Sequence, residues 1–419
     1  MSQPSVDREP VDLAALDPAE REAVFRALPK TDLHCHLDGS LRVETVAELL
    51  ADPATRALAD RLGYRLPDET DPESLRALLM PGVDCKSLED YLLPFDIICG
   101  VLQTPESLER AAYELACDAA AENVWYMEVR FAPQRHIHPD LSGVDVLRAV
   151  DAGLARAERE HGGRIRAAIL VCALRNFHPS IGDYHRRVRA LFPHATDREL
   201  GSFCSLAAAR AAVEAKRAGV ERVVGFDLAG AEASYPPSHH RDAFHWCIDN
   251  FLNITVHAGE GFGPASIQEA VTYLNAQRIG HGTRILEDGP AMLEYLRDRR
   301  VSVEVCLTSN LQTRAIGSLE EHPFRRMLEE EVRAPLCTDN RLVSGVTVTD
   351  EYRLAWESFG LSNREIRKTV LYGFKAAFVP YAARRQLLLA AKARLRELGF
   401  GGQWTHAEEA AYAAWLGEG

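Results

Sequence analysis

Short apolar runs alternate with Ala-, Leu-, Glu- and Arg-rich stretches along nearly the whole chain, and that alternation leaves few folds open. Eight candidate strands stand out, at 31–37, 124–131, 165–174, 222–228, 253–257, 278–281, 301–306 and 334–338. Several are unbroken apolar runs, such as Ala167-Ala168-Ile169-Leu170-Val171. Unbroken runs suit parallel strands covered on both faces, because a half-solvated strand alternates apolar with polar side chains. The segments between them have the composition of crossover helices, most clearly at 108–122, 144–161 and 206–218. Eight strands alternating with helices is the pattern of an α/β fold of the (β/α)8, TIM-barrel type. A doubly wound open sheet alternates in the same way, so periodicity alone leaves both architectures standing.

At 419 residues the chain has room for two or three units of roughly 150 residues each. No internal repeat, low-complexity tract or Gly/Ser linker divides it, so one domain with insertions is the simplest organisation. Residues 1–28 read as a lead-in helix packed on the barrel, starting at Asp17-Pro18. Residues 29–419 read as the barrel itself, ending in extra, Ala-rich helix. The longest insertion, 42–123, follows the first strand and is helical. A connection of that length at the C-terminal face of a barrel folds over the active site as a lid or packs as ordinary helices.

Composition narrows the partners. Hydrophobic residues make up 47% of the chain, too many for a disordered protein. Lys and Arg number 48 against 61 Asp and Glu, a net charge of −13, which argues against a basic nucleic-acid footprint. No run reaches the roughly 18 apolar residues of a membrane span. The N-terminal segment is polar and acidic, unlike a secretory signal, so a cytoplasmic location is expected. The nine cysteines include no C-x-x-C pair and read as reduced, mostly buried thiols.

The chemistry sits at strand ends. The first candidate strand carries His34-Cys35-His36, and residues i and i+2 of a strand share a face, so two imidazoles can meet one cation. The fifth ends His257-Ala258-Gly259-Glu260, where the glycine allows a sharp turn that brings Glu260 back over the same place. A glutamate beside a metal-activated water is a natural proton shuttle. The sixth carries Gly280-His281-Gly282, and the eighth ends Cys337-Thr338-Asp339-Asn340. A buried aspartate needs a partner or a metal. Singly, each of these histidines could be a satisfied core residue and Asp339 a turn residue. In a barrel all these ends lie on one face, and a mixed N and O donor set suits zinc.

These residues lie in stretches that resemble the adenosine deaminases of the amidohydrolase-type barrel superfamily. The stretches are 31–40 (Thr-Asp-Leu-His-Cys-His-Leu-Asp-Gly-Ser), 127–133 (Met-Glu-Val-Arg-Phe-Ala-Pro), 226–230 (Phe-Asp-Leu-Ala-Gly), 257–260, 278–282, 308–310 (Thr-Ser-Asn) and 337–339. They occur in the family's order and favour the barrel over the open sheet. The resemblance implies one Zn2+ per chain, with His34, His36, His257 and Asp339 as ligands. It implies Glu260 as the group that protonates purine N1, and His281, with Asp339, as the groups that hold and orient the attacking hydroxide. For the nucleoside it implies Asp38 at a ribose hydroxyl, the Gly230 N–H at purine N3, and Tyr91, Leu92 and Phe95 as an apolar lid.

Two positions depart from the family pattern. Asn340 stands where a second aspartate usually meets purine N7. The contact survives in principle, because N7 is an acceptor and an amide NH2 donates without needing an added proton. Leu307 replaces a common proline, a difference of packing. The implied activity is hydrolytic deamination of adenosine, and of its 2′-deoxy form, to inosine and ammonia in purine salvage, with a small purine nucleoside as the partner. Adenine or aminodeoxyfutalosine is the alternative substrate; Asp38 favours one that bears a sugar. The P-C-x-x-C element of cytidine-type zinc deaminases is absent. Hydrolysis of a phosphoester would call for a basic cluster or a Gly-rich cradle, neither of which is evident.

Overall fold

The structure, a computed structural model, describes residues 9–82, 94–401 and 406–416. Seven strands form one parallel sheet in chain order: β1 (Lys30–His36), β2 (Val124–Phe131), β3 (Arg166–Leu174), β4 (Val223–Ala229), β5 (Asn253–Ala258), β6 (Arg278–His281) and β7 (Ser302–Glu304). Each is followed by helical structure, and β2 is buried at every position, as a strand between a barrel interior and a helix layer must be.

The expected eighth strand, 334–338, is present as a ladder of isolated bridges rather than a regular strand. Val303 and Val305 donate to the carbonyls of Arg333 and Pro335 at 2.8 and 3.0 Å, and Cys337 donates back to Val305 at 2.8 Å. On the other side Asp339 N–H donates to His34 O and His36 N–H to Asp339 O, both at 2.7 Å. This stave therefore closes the sheet onto β1. Pro335 has no N–H to give the ladder, which is why pairing here is broken. Closure brings the C-terminal ends of β1, β5, β6 and residue 339 to one level, where Ala258 is paired with His281 and Cys35 with Asp339.

The barrel interior is charged. Buried Arg130 donates to Asp227 at 2.9 Å and to Glu304 at 2.8 Å, and Arg278 donates to Glu304 at 2.6 Å and also to Glu128. Removing one member of such a set leaves an uncompensated buried charge, which costs about 3–5 kcal/mol.

The lead-in helix, Pro18–Ala27, starts where Asp17 and Glu20 form a capping box, and it seats Phe25 against Trp356. Helices Tyr381–Glu397 and His406–Leu416 close the chain, with Trp415 stacked on Trp125 at 4.8 Å. The insertion between β1 and β2 holds helices Val43–Ala51, Pro53–Arg61, Pro72–Leu79, Pro94–Val101 and Pro105–Ala121. Tyr91 and Leu92 lie outside the described residues.

Candidate active site

The ends of β1, β5, β6 and the eighth stave converge at the mouth of the barrel. His36 Nε2 lies 3.1 Å from His257 Nε2 and 3.4 Å from Asp339 Oδ1, and His34 Nε2 lies 3.2 Å from Asp339 Oδ1. Donors about 2.0–2.1 Å from a common zinc and arranged tetrahedrally are about 3.3 Å apart. These three separations are those of a coordination shell. His281 joins them, within 4.8 Å of one another for the ligand atoms of His34, His257, His281 and Asp339.

The surroundings fix which atoms face inward. His34 Nδ1–H donates to Glu304 at 2.9 Å, so Nε2 carries the free electron pair. That nitrogen is buried with no hydrogen-bond partner of its own and faces another acceptor, Asp339 Oδ1. Two acceptors opposed in a dry site are what a cation reconciles. Burial and the neighbouring Arg130 hold the His34 imidazole down to about 4, and burial holds His36 well below its ordinary range, so both rings are neutral donors. Burial pulls His257 down, but Asp227 outweighs it by accepting from Nδ1 at 3.0 Å, and its pKa rises. Asp339 receives a hydrogen bond from Ser309 Oγ at 2.6 Å. Burial opposes its ionisation, yet its carboxyl is held well below the usual range. His34, His257 and Asp339 are thus each backed by a partner behind the inward atom, the arrangement that orients metal ligands. The residues fit a zinc ion.

The backbone is bent to make this possible. His281 and Asp339 sit at φ +65° and +63°, a left-handed conformation that side chains other than glycine rarely adopt. Gly280 is required beside them, since a Cβ there would stand 2.8 Å from Cε1 of His34.

Glu260 reaches the site as its position after Gly259 suggests, with Oε2 3.5 Å from His281 Nε2. Burial pushes its carboxyl above the usual range, against the attraction of His281. A cavity of about 370 Å³ opens beside these groups, and Asp38, Gly230, Asn340 and Phe95 line it together with His36 and Glu260. Asn340 packs against Gly39 so closely that a Cβ on Gly39 would be 1.9 Å from its Oδ1.

Three residues that sequence reasoning passed over complete the site. Glu304 is the one acid in the run Val301-Ser302-Val303-Glu304-Val305-Cys306, a signal of a buried paired carboxylate. Arg175, at the end of β3, donates to the carbonyls of His257 and Tyr235, the latter at 2.8 Å. Glu232 accepts the backbone N–H groups of Gly259, Glu260, Gly261 and Phe262 at 2.7, 3.0, 2.7 and 3.0 Å. No spacing rule announces the last two.

Comparison with known proteins agrees with this geometry. The sequence pattern of the family described as adenosine deaminase matches residues 29–208 and 200–392. Adenosine deaminase of Mycobacterium marinum is 38% identical over 378 residues, covering 87% of this chain and 94% of that protein. An amidohydrolase from Burkholderia ambifaria, solved with bound zinc, shares the fold at a TM-score of 0.71 and 23% identity, covering 93% of this chain and 97% of that one. The N6-methyl-AMP deaminase of Arabidopsis thaliana superposes at a TM-score of 0.69 and 26% identity, covering 89% of this chain and 98% of that one. With the barrel, the strand-end histidines and a matched stretch that covers most of the sequence, the chain belongs to the adenosine deaminase family.

Proposed function

We propose that this chain is a zinc-dependent deaminase that hydrolyses adenosine and its 2′-deoxy form to inosine and ammonia, as an enzyme of purine salvage in the cytoplasm. The observation that carries this reading is the cluster of His34, His36, His257 and Asp339 beside a nucleoside-sized cavity that Glu260 lines together with the last three. Zinc held by these four would supply Lewis acidity that makes a water nucleophilic near neutral pH.

The chain's own residues do the rest. Glu260, whose burial favours the protonated form, donates its proton to purine N1 and makes C6 electrophilic. His281 and Asp339 orient the oxygen that adds to C6. The proton of the added hydroxyl passes to the amino group, the C6–N bond breaks, ammonia leaves and the oxygen remains as the carbonyl of inosine, while the other proton of the water restores Glu260. Asp38 takes a ribose hydroxyl, the Gly230 N–H meets N3, and the Asn340 NH2 donates to N7. Phe95 covers the nucleoside, and the described helices of the insertion serve as its lid.

A nucleoside monophosphate is the less favoured substrate. Among the described residues, the one Lys or Arg lining the cavity is Arg135, and it already donates to Asp96 at 2.6 Å. Ammonia release should be compared for adenosine, 2′-deoxyadenosine, adenine, aminodeoxyfutalosine, AMP and N6-methyl-AMP on metal-assayed protein. Adenosine should give the highest kcat/KM. Release from adenine but not adenosine would replace the substrate, and no release from any would overturn the reading.

A further inference from the structure

Behind His281 lies a line of buried polar groups whose direction is set at its far end. The backbone N–H of Phe324 points at His322 Nδ1 at 3.0 Å. A backbone amide can only donate, so Nδ1 of His322 accepts and its proton is on Nε2. His322 Nε2 lies 3.2 Å from Asn310 Oδ1, and this N–H donates to that oxygen. The amide of Asn310 is thereby oriented with its NH2 toward His281, whose Nδ1 is 2.9 Å away. His281 Nδ1 accepts, which leaves the ring proton on Nε2, the atom that faces Glu260. All three side chains are nearly fully buried, so water does not compete for these bonds.

From this we infer that His322, acting through Asn310, is a positioning residue that holds His281 as its Nε2–H tautomer. The inference rests on the deaminase reading for the value of that tautomer, though not for its existence. An imidazole with Nε2–H is a donor toward the incoming oxygen and lacks the electron pair a metal would take. It separates His281 from the four ligands beside it, although its distance alone would admit it as a fifth. Burial also pushes the His322 imidazole down to about 3, which keeps that ring neutral and able to accept at Nδ1.

With the anchor removed, the Asn310 amide is free to turn over. Its Oδ1 would then accept from Nδ1–H of His281, and Nε2 would present an electron pair to the metal site. The residue two positions before Phe324 therefore decides whether His281 donates or ligates, without touching substrate or metal.

The test is the tautomer itself. Long-range 1H–15N spectra of zinc-loaded protein with 15N-labelled histidine report which imidazole nitrogen carries the proton, and the His281 signals are assigned by their loss in His281→Gln. In the wild type we expect Nε2–H. In His322→Phe we expect a mixture of tautomers and a fall in kcat on the order of 10- to 100-fold at unchanged metal content. His322→Gln, which restores a donor to Asn310, should recover both the tautomer and much of kcat. An Nδ1–H signal in the wild type would overturn the inference, as would a His322→Phe protein with an unaltered tautomer and unaltered kcat. The wild-type spectrum needs no variant to fold and no substrate. A wild-type protein that showed Nε2–H but released no ammonia would therefore strike the proposed function and leave this assignment standing.

Discussion

The backbone N–H of Glu260 donates to the side chain of Glu232 at 3.0 Å, so one glutamate holds the turn that presents the other. The same carboxylate gathers the neighbouring amides of Gly259, Gly261 and Phe262. Glu232→Ala would leave these donors without an acceptor, at about 1–3 kcal/mol for each one that stays buried and unpaired. We expect kcat to fall at least about tenfold with metal content unchanged, because a misplaced acid loses alignment before it loses chemistry. Glu232→Gln keeps one carbonyl oxygen and should fall less. Steady-state kinetics beside metal analysis checks this; a Glu232→Ala enzyme with normal kcat would show that the turn keeps its shape unaided.

Glu260→Gln should retain metal and lose about 10²- to 10⁴-fold in kcat, the usual worth of a positioned general acid. The pH dependence has a definite sign. Burial raises this carboxyl above the ordinary 4.5, and in the proposed mechanism the protonated form is the active one. Activity due to this group is present below its pKa and lost as pH rises through it, so kcat/KM should show an alkaline limb set by Glu260. A profile that rises monotonically with pH would remove Glu260 as the proton donor.

Much of this site was legible in the sequence because its donors sit at strand ends with short, regular spacings. His34-Cys35-His36 follows the two-residue period of a strand, and Gly259 and Gly280 mark where the chain turns or approaches closely. Strands β2 and β6 run over the residues their apolar patterns suggested. The eighth strand was legible as a segment but not as a regular ladder, because Pro335 interrupts the pairing without interrupting the apolar run. Glu304, Arg130 and Asp227 could have been paired in advance only with the barrel closed, since they come from three different strands. Glu232 and Arg175 act on backbone groups, and backbone acceptors and donors have no sequence signature.

Gly280→Ala tests how closely the ligand cluster is packed. A methyl group 2.8 Å from His34 Cε1 must displace that ring from its place in the cluster. Zinc affinity should drop by about 10- to 100-fold, comparable to loss of a residue that orients a ligand. Competition with a chelator of known affinity measures it, and an unchanged affinity would mean that His34 is not held against this strand.

Asn340→Ala should lower kcat/KM for adenosine by about three- to tenfold through the lost hydrogen bond to N7, with metal content preserved. The same loss should be smaller for a purine analogue with carbon at position 7, which offers no acceptor there. Gly39→Ala should mimic the defect, because its methyl group would occupy the place of the Asn340 oxygen. If only metal content fell in Asn340→Ala, the residue would be supporting Asp339 rather than the base.

Stripping the protein of metal and titrating zinc back into it, while following conversion of adenosine to inosine in the same cuvette, joins the ligand cluster to the reaction. Activity should be absent at the start, rise linearly and reach its plateau at one zinc per chain, and His257→Ala should flatten the curve. Full turnover by metal-free protein, or a plateau unrelated to one bound ion, would contradict the assignment of His34, His36, His257 and Asp339.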